Sequence, residues 1–151
     1  MTAGRMIFFN RIYGQTSKAE QEKVVIYGGS FNPPTLVHYR LLLDAVNSIG
    51  AAKGIFVPAS NNYVADKMKK IGHPEEVLPE KVRAEMLLDM CGIADGTLTV
   101  DECEFGDDGC GHTFETMMKI QRKYPDSRLF CLIGSDKLSA VSRWHDREKL
   151  F

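Results

Sequence analysis

One short segment of the sequence combines the residue types that bind phosphate. It reads YGGSFNPPTLVH, from Tyr27 to His38. Gly28 and Gly29 allow the backbone to approach a ligand closely, and a helix that starts near Thr35 presents free N–H groups and the positive end of its dipole. His38, one turn into that helix, adds a hydrogen-bond donor. The pattern predicts a phosphate-binding loop; the alternative is a plain strand-to-helix turn with a capping threonine and a surface histidine.

A second polar turn follows an apolar run much later in the chain. RLFCLIG, residues 128–134, has the composition of a buried strand, and a helix is predicted to follow it. In open α/β sheets, ligands bind beyond the carboxyl ends of the strands. The loop of residues 28–38 and the turn from Gly134 to Asp136 both lie at such ends, so we expect them to form one site.

Strands and helices alternate along the chain around these two segments. The predicted strands are VVIY (24–27), GIFVP (54–58), TLTV (97–100) and RLFCLIG (128–134). The predicted helices cover residues 36–49, 80–91 and 116–124; a shorter one starts at Ser135 or Asp136, and another covers 146–151. The polar residues 59–78 are predicted to form a long loop, and the inward face of the 80–91 helix is predicted to be Val82, Met86, Leu87 and Met90. The alternation predicts an α/β domain with a mostly parallel sheet over residues 23–151, after an N-terminal leader of residues 1–22.

Length and composition are those of an ordinary single domain. The chain has 151 residues, 44% hydrophobic and 26% charged, with 19 basic and 20 acidic side chains and a net charge of −1. This balance argues against nucleic-acid binding, no apolar run is long enough to span a membrane, and no secretory signal is recognisable. The four cysteines form no CxxC pair and fit no standard zinc spacing. We therefore predict no protein metal ligand, and a cytoplasmic protein with reduced thiols.

The string GGSFNPPTLVH resembles the motif G-x-F-[DN]-P-x-[HT]-x-G-H of the adenylyl- and cytidylyltransferase superfamily. In that family the last histidine contacts the triphosphate and steadies the leaving pyrophosphate, which implies this catalytic role for His38. Thr35 occupies the H/T position and is implied to share in catalysis, and Val37 stands where the motif has glycine. The resemblance implies that ATP is bound by Gly28, Gly29, Ser30, Phe31 and His38. It also implies a Rossmann-like open parallel sheet with helices on both faces, the adenine nucleotide alpha hydrolase-like nucleotidyltransferase fold.

The string FCLIGSDKLSAVSRW, residues 130–144, resembles the I-I-G-x-D…L…W segment of nicotinate- and nicotinamide-mononucleotide adenylyltransferases. The resemblance implies that Gly134 and Asp136 hold the adenosine part of ATP, with the Asp136 carboxylate near a ribose hydroxyl. It also implies that Trp144 belongs to the mononucleotide site and packs on or near the pyridine ring. A helix N-cap is the alternative for Asp136, and a core or edge aromatic is the alternative for Trp144.

Three weaker segments fit the same family in the same order. Residues 58–70 resemble its P…Y-x-K-K stretch, which faces the substrate phosphates, and imply a contact from Lys67; a solvated loop is the alternative. Arg83 matches the R-x-x-M-L helix and is either a phosphate contact or part of a structural ion pair. Thr113 matches the Y/H-T-x-x-T-L element, which meets the pyridine substituent, or is a helix N-cap. With Asn32, these residues complete the implied mononucleotide site.

The reaction that the resemblance implies joins ATP and a pyridine mononucleotide into a dinucleotide and releases pyrophosphate, a step of NAD biosynthesis. The attacking phosphate is already ionised, so catalysis would rest on positioning and charge neutralisation, with Mg²⁺ held mainly by the ATP phosphates. The family continues past the tryptophan with S-[ST]-x-x-R, a motif absent from these 151 residues. The alternatives are therefore a nucleotide-binding module without catalysis, a phosphopantetheine adenylyltransferase or a cytidylyltransferase. The sequence leaves open the choice between nicotinate and nicotinamide, and the oligomeric state.

Overall fold

The predicted sheet is present and has one further strand. The computed structural model of the chain describes residues 7–10, 21–106 and 113–143. Within them lie five strands: β1 (Ile7–Asn10), β2 (Lys23–Gly29), β3 (Lys53–Pro58), β4 (Leu98–Val100) and β5 (Arg128–Ile133). Their order is β1-β5-β2-β3-β4, with β2 parallel to β3 and β5, β3 parallel to β4, and β1 antiparallel to β5. The α/β class and the mostly parallel sheet are confirmed.

The added strand, β1, lies inside the predicted leader. It pairs with β5 from Ile7 opposite Ile133 to Asn10 opposite Phe130. Without it, β5 would present a row of unpaired backbone N–H and C=O groups. A strand of four residues is too short to show an alternating pattern, and this is why part of the predicted leader proves to be an element of the sheet.

Five α-helices lie in the described part of the chain. They are α1 (Leu36–Ile49), α2 (Asn61–Lys70), α3 (Glu80–Cys91), α4 (Thr113–Lys123) and the short α5 (Leu138–Val141). As predicted, α1 ends at Gly50, which has a φ of 62°, a conformation that favours glycine. The next residue, Ala51, donates its N–H to the Val46 carbonyl (2.9 Å). The predicted helix 116–124 begins earlier, at Thr113, and the predicted helix 146–151 lies outside the described residues.

Helices cover both faces of the sheet, as expected. α1 and α3 pack on the face that holds Val25 and Phe56. α4 places Ile120 on the opposite face, against Ile26 and Ile55. Neighbouring residues of one strand therefore point into different cores, and burial on both faces explains the continuous apolar runs of the sequence.

Gly54 permits the closest approach between α1 and the sheet. A Cβ at this position would lie 2.7 Å from the Leu98 side chain and 2.9 Å from the side chains of Leu42 and Val46. No real Cβ tolerates contacts of this length in a close-packed interior. Glycine in β3 thus sets the height at which α1 rests above the strands.

The prediction of a long loop over residues 59–78 is wrong, because α2 occupies half of it. The helix begins after Ser60, whose hydroxyl accepts a hydrogen bond from the Tyr63 N–H (3.3 Å). Val64 is its only buried residue. A helix that rests on the protein through one apolar side chain has too little apolar periodicity to be recognised from sequence.

The predicted inward face of α3 is also partly wrong. Leu87 is fully buried, but Val82 and Met86 are 39% and 37% exposed. Arg83 is buried completely in their place, together with Ala84. Arginine is almost never fully buried without partners, so an apolar pattern cannot indicate this face.

Candidate functional site

A cavity of about 1120 Å³ lies at the carboxyl ends of β2 and β5. It extends from the start of α1 on one face of the sheet to the start of α4 on the other. The predicted site residues that line it are Gly28, Gly29, Ser30, Phe31, Asn32, His38, Lys67, Thr113, Gly134 and Asp136. Two other described residues of the prediction, Thr35 and Arg83, do not line it, and Trp144 lies outside the described residues. The structure thus brings the two predicted segments together at one edge of the sheet.

His38 is held by the backbone at the start of α1. The Thr35 N–H donates to His38 Nδ1 (2.9 Å), and Thr35 Oγ1 lies 3.0 Å from the same nitrogen. A backbone N–H can only donate, so Nδ1 accepts and the proton of the neutral ring resides on Nε2. Burial, followed by the charge of Lys67, lowers the pKa of His38 and favours this neutral form. His38 therefore offers an Nε2–H donor that carries no net charge.

The Phe31 side chain packs beneath the predicted phosphate-binding loop. Its ring is buried and packs edge-on against Tyr27, His38 and Phe56, with centroid distances of 5.3, 5.1 and 5.4 Å. Its φ is 46°, a left-handed conformation that costs a non-glycine residue about 1–2 kcal/mol. A Cβ at Gly29 would lie 3.2 Å from the Phe31 ring, so glycine makes room for it. The predicted contact of Phe31 with ATP would therefore come from its backbone.

Asn32 ties the same loop to the segment before α3. Its Nδ2 donates to the Glu76 carbonyl (2.6 Å), and its Oδ1 accepts from the Leu78 N–H (2.8 Å). Both ends of the amide are engaged within the protein, although the residue lines the cavity. The predicted contact of Asn32 with a mononucleotide would have to compete with these two bonds.

Arg83 lies beneath the loop and not at the cavity surface, which differs from its predicted place in the mononucleotide site. Its Nε donates to the Leu78 carbonyl (3.2 Å) and Nη1 to the Ser30 carbonyl (2.7 Å). Nη2 donates to the Ala59 carbonyl (2.7 Å) and to Asn61 Oδ1 (2.9 Å). The planar guanidinium therefore joins the loop, the end of β3 and the start of α2, a role that needs its fork of donors.

Burial lowers the pKa of Arg83, and the nearby carboxylate of Glu80 acts in the opposite direction. Glu80 Oε1 itself accepts from the Asn61 N–H (2.8 Å). The ion pairs of the described residues do not include Arg83 either, and its hydrogen bonds go to carbonyl and amide oxygens. We describe Arg83 as a positioning residue.

Lys67 reaches the loop from the last turn of α2. Its Nζ donates to Ser30 Oγ (3.2 Å), and its charge is close enough to lower the pKa of His38. The same turn holds Lys69 and Lys70, where the negative end of the helix dipole favours cations. Of these three lysines, only Lys67 lines the cavity. Of the three, Lys67 is therefore the lysine to which the predicted phosphate contact applies.

The turn after β5 places Asp136 at the cavity. Ser135–Lys137 form a single 3-10 turn, in which the Lys137 N–H donates to the Gly134 carbonyl (2.9 Å). The N-cap of α5 is Lys137 and not Asp136, so the helix-cap alternative for Asp136 does not hold. The Asp136 side chain is 73% exposed, with Lys137 Nζ at 3.4 Å from its carboxylate. A Cβ at Gly134 would collide with that carboxylate, so this conformation requires glycine.

Glu104 is a cavity residue that the sequence analysis does not identify. It follows β4, and Thr116 Oγ1 donates to its Oε1. Burial raises the pKa of Glu104 to about 7, while the hydrogen bond from Thr116 and the charge of Lys119 act in the opposite direction. The available signal is its position after a parallel strand, at the sheet edge where ligands bind. The lining also includes Tyr63, Met68 and Met117 from α2 and α4, and the cationic residues Lys137 and Arg143.

The described residues can be judged against the requirements of a metal site and of a membrane-spanning helix. Within them, one group of three possible metal ligands occurs, formed by His73, Glu75 and Glu76; it is exposed and does not line the cavity. Cys110, one of the four cysteines, lies outside the described residues. None of the described helices has the length and hydropathy that a bilayer span requires.

Comparisons with known proteins point to one family. The sequence profile of a family described as cytidylyltransferase-like matches residues 26–151. A probable nicotinate-nucleotide adenylyltransferase of Maridesulfovibrio salexigens is 32% identical over 124 residues, which are 81% of this chain and 53% of the relative. Another, of Listeria monocytogenes, is 28% identical over 130 residues, or 86% of this chain and 65% of the relative. The chain thus spans between half and two-thirds of the length of these relatives.

Solved structures share the fold. The nicotinic acid mononucleotide adenylyltransferase of Plasmodium falciparum complexed with APC has a TM-score of 0.66 and 18% identity, over 86% of this chain and 59% of that chain. The same protein complexed with NaAD has a TM-score of 0.66 and 19% identity, over 86% of this chain and 60% of that chain. The likeness confirms the predicted nucleotidyltransferase fold.

Proposed function

Because the chain belongs to the cytidylyltransferase-like family, we propose that it transfers the adenylyl group of ATP to nicotinate mononucleotide, with nicotinamide mononucleotide as the alternative acceptor. The products are the dinucleotide and pyrophosphate, which makes this a step of NAD biosynthesis. The observation that carries the proposal is the convergence of the glycine loop, His38, Lys67 and Asp136 on one cavity. The names of the curated relatives support the choice of acceptor.

In the proposed reaction, the protein has to position the two substrates and to neutralise the charge that develops. The 5′-phosphate of the acceptor attacks the α-phosphorus of ATP, the bond to the β-phosphate oxygen breaks, and pyrophosphate leaves. The attacking oxygen is already ionised, so no side chain has to remove a proton. Orientation of two bound reactants supplies roughly 7–11 kcal/mol in favourable cases. The rest falls to donors directed at the growing charge.

His38 and Lys67 are two described side chains that fit this second task. The Nε2–H of neutral His38 would donate to a triphosphate oxygen while Thr35 holds the opposite side of the ring. Lys67 would exchange its bond with the neutral Ser30 hydroxyl for a phosphate oxygen, because the negative charge of the phosphate adds Coulomb attraction to the hydrogen bond. The N–H groups at the start of α1 add the helix dipole.

We propose Mg²⁺ as the cofactor, held by phosphate oxygens of the nucleotide and by water. The chemistry of the ion supports this arrangement, because Mg²⁺ commonly keeps several waters beside substrate phosphates. When bound, the ion supplies positive charge to the leaving pyrophosphate. We further propose a cytoplasmic location, which the free thiols of Cys91, Cys103 and Cys131 support.

Pyrophosphate release tests the proposal. The chain is incubated with ATP, Mg²⁺ and either pyridine mononucleotide, and we expect release with at least one of them. His38→Ala should lower kcat by about 10²–10³-fold, the effect of removing one donor to a developing charge. Pyrophosphate release when cytidine triphosphate replaces ATP would indicate a cytidylyltransferase. Pyrophosphate release when phosphopantetheine replaces the mononucleotide would indicate a phosphopantetheine adenylyltransferase. ATP binding in calorimetry without any release would support a nucleotide-binding module instead.

Lys67 and Lys70 form a matched pair for the binding step. Both lie in the last turn of α2, but only Lys67 lines the cavity. We expect Lys67→Ala to raise KM for a phosphate-bearing substrate about tenfold, which equals about 1.4 kcal/mol. Lys70→Ala removes the same charge from the same helix and should leave KM unchanged. Equal effects of both variants would mean that a diffuse field, and not a contact, binds the phosphates.

A further inference from the structure

The cavity has a polar end on the α4 side of the sheet, opposite the face that carries α1. It is formed by Glu104, Thr113 and Thr116, with Met117 and Cys131 as apolar neighbours. Thr116 is buried, and Glu104 is half-buried. We call these five residues the α4 end of the cavity. This end and His38 line the same cavity, and they lie on opposite faces of the sheet.

Glu104 is the acidic group at the α4 end. Thr116 Oγ1 donates to its Oε1, and the ion pairs within the described residues do not include it. Lys119 of α4, whose charge acts on Glu104, donates through Nζ to the Cys103 carbonyl (3.1 Å). The carboxyl group is thus oriented by α4 but is not neutralised by a direct ion pair.

The charge of this group changes close to neutral pH. Burial raises the pKa of Glu104 to about 7, against the influence of Thr116 and Lys119 from α4. The groups that face it from β5 and from its own segment are Cys131 and Cys103, whose pKa values burial raises to about 12. Both thiols stay neutral between about pH 6 and about pH 8. Glu104 is therefore the group at this end whose own charge changes in that interval.

We propose that Glu104 is a specificity-determining residue that distinguishes acceptors by the charge of their ring substituent, an inference that rests on the proposed function. Ionised Glu104 accepts N–H bonds from a carboxamide and repels a carboxylate. Protonated Glu104 donates an O–H bond to a carboxylate. The carboxylate acceptor is therefore favoured as the pH falls and the carboxamide acceptor as it rises.

The two pyridine mononucleotides are matched probes, because they share ring, ribose and phosphate and differ in the substituent alone. Titration of the ligand phosphate and of His38 affects the binding of both mononucleotides equally. These contributions therefore cancel in the ratio of the two dissociation constants. For a pKa of about 7, the protonated fraction falls from about nine-tenths at pH 6 to about one-tenth at pH 8. If nicotinate mononucleotide binds only the protonated form, its dissociation constant rises about tenfold over this interval.

The experiment is calorimetric titration of the chain with each mononucleotide at about pH 6, 7 and 8. The expected result is a rise of about tenfold or more in the nicotinate-to-nicotinamide ratio of dissociation constants with increasing pH. Glu104→Gln should give a ratio that does not depend on pH. ATP binding and the circular dichroism spectrum of the variant confirm that it is folded.

Each outcome decides the inference. The proposed role of Glu104 is overturned if the nicotinate-to-nicotinamide ratio of dissociation constants of the wild-type chain changes less than about twofold between about pH 6 and about pH 8. It is also overturned if this ratio falls as the pH rises. Persistence of the wild-type dependence in a folded Glu104→Gln variant overturns it as well. Binding of ATP and of neither mononucleotide overturns the proposed function, whereas binding of both at a constant ratio overturns the role of Glu104 alone.

Discussion

Replacement of Arg83 by methionine tests whether this arginine supports the site from below. The substitution keeps most of the side-chain length and leaves the carbonyls of Leu78, Ser30 and Ala59 and the Asn61 amide oxygen without their donor. A buried acceptor left unsatisfied costs about 1–3 kcal/mol. Local relaxation makes the total less than additive, and we expect a loss of about 3–5 kcal/mol, as for other broken buried charge networks.

The measurement is urea unfolding followed by circular dichroism. Domains of this kind unfold with about 5–15 kcal/mol, so the expected loss moves the midpoint far outside error. Arg40→Met is the matched control: Arg40 lies exposed on α1, and its replacement should change the free energy of unfolding by less than about 0.5 kcal/mol. Arg83→Lys keeps the charge but concentrates the donors at one atom, and we expect an intermediate loss.

Two results would refute this description of Arg83. A free energy of unfolding within about 1 kcal/mol of wild type for Arg83→Met would show that the recorded bonds contribute little. Wild-type stability of Arg83→Lys together with a raised KM for the mononucleotide would restore the predicted phosphate contact.

Three further predictions concern packing, the adenosine side and pH. Gly54→Ala should destabilise the chain by about 1–3 kcal/mol through overpacking. Gly92→Ala is the control and should not destabilise it, because the added Cβ has no neighbour within 4 Å. Equal unfolding midpoints of the two variants would contradict the close approach of α1 to the sheet. Gly134→Ala should weaken ATP binding in calorimetry by displacing the Asp136 carboxylate, and unchanged affinity would separate this turn from the ATP site. Burial lowers the pKa of folded His38, so the unfolded chain takes up the proton first, and stability is lost as the pH falls below about 6.5. His38→Gln should flatten this part of the pH–stability curve, and an unchanged slope would contradict the shift.

The features that the sequence predicts best are those set by local chemistry. The loop from Tyr27 to His38 carries its own turn residues, and its place after an apolar strand follows from periodicity. The cavity then follows from topology, because the carboxyl ends of parallel strands share one edge.

The features that the sequence does not predict depend on contacts between distant segments. Arg83 has the composition of a surface residue, and only the four oxygens that surround it explain its burial. Glu104 acquires its raised pKa from burial, against the influence of Thr116 and Lys119, and this burial exists only in the folded chain. α2 is a helix with a single buried residue, and β1 is defined by its pairing with β5. None of these leaves a periodic pattern.

The extension of the cavity across the carboxyl edge of the sheet has a consequence for the end of the reaction. For the proposed chemistry, each substrate contacts mainly one side, whereas a dinucleotide product occupies both sides with a single molecule. Linking two ligands raises the effective concentration of each half at its own subsite to the millimolar range or above. We therefore expect the dinucleotide product of the proposed reaction to bind more tightly than either substrate alone.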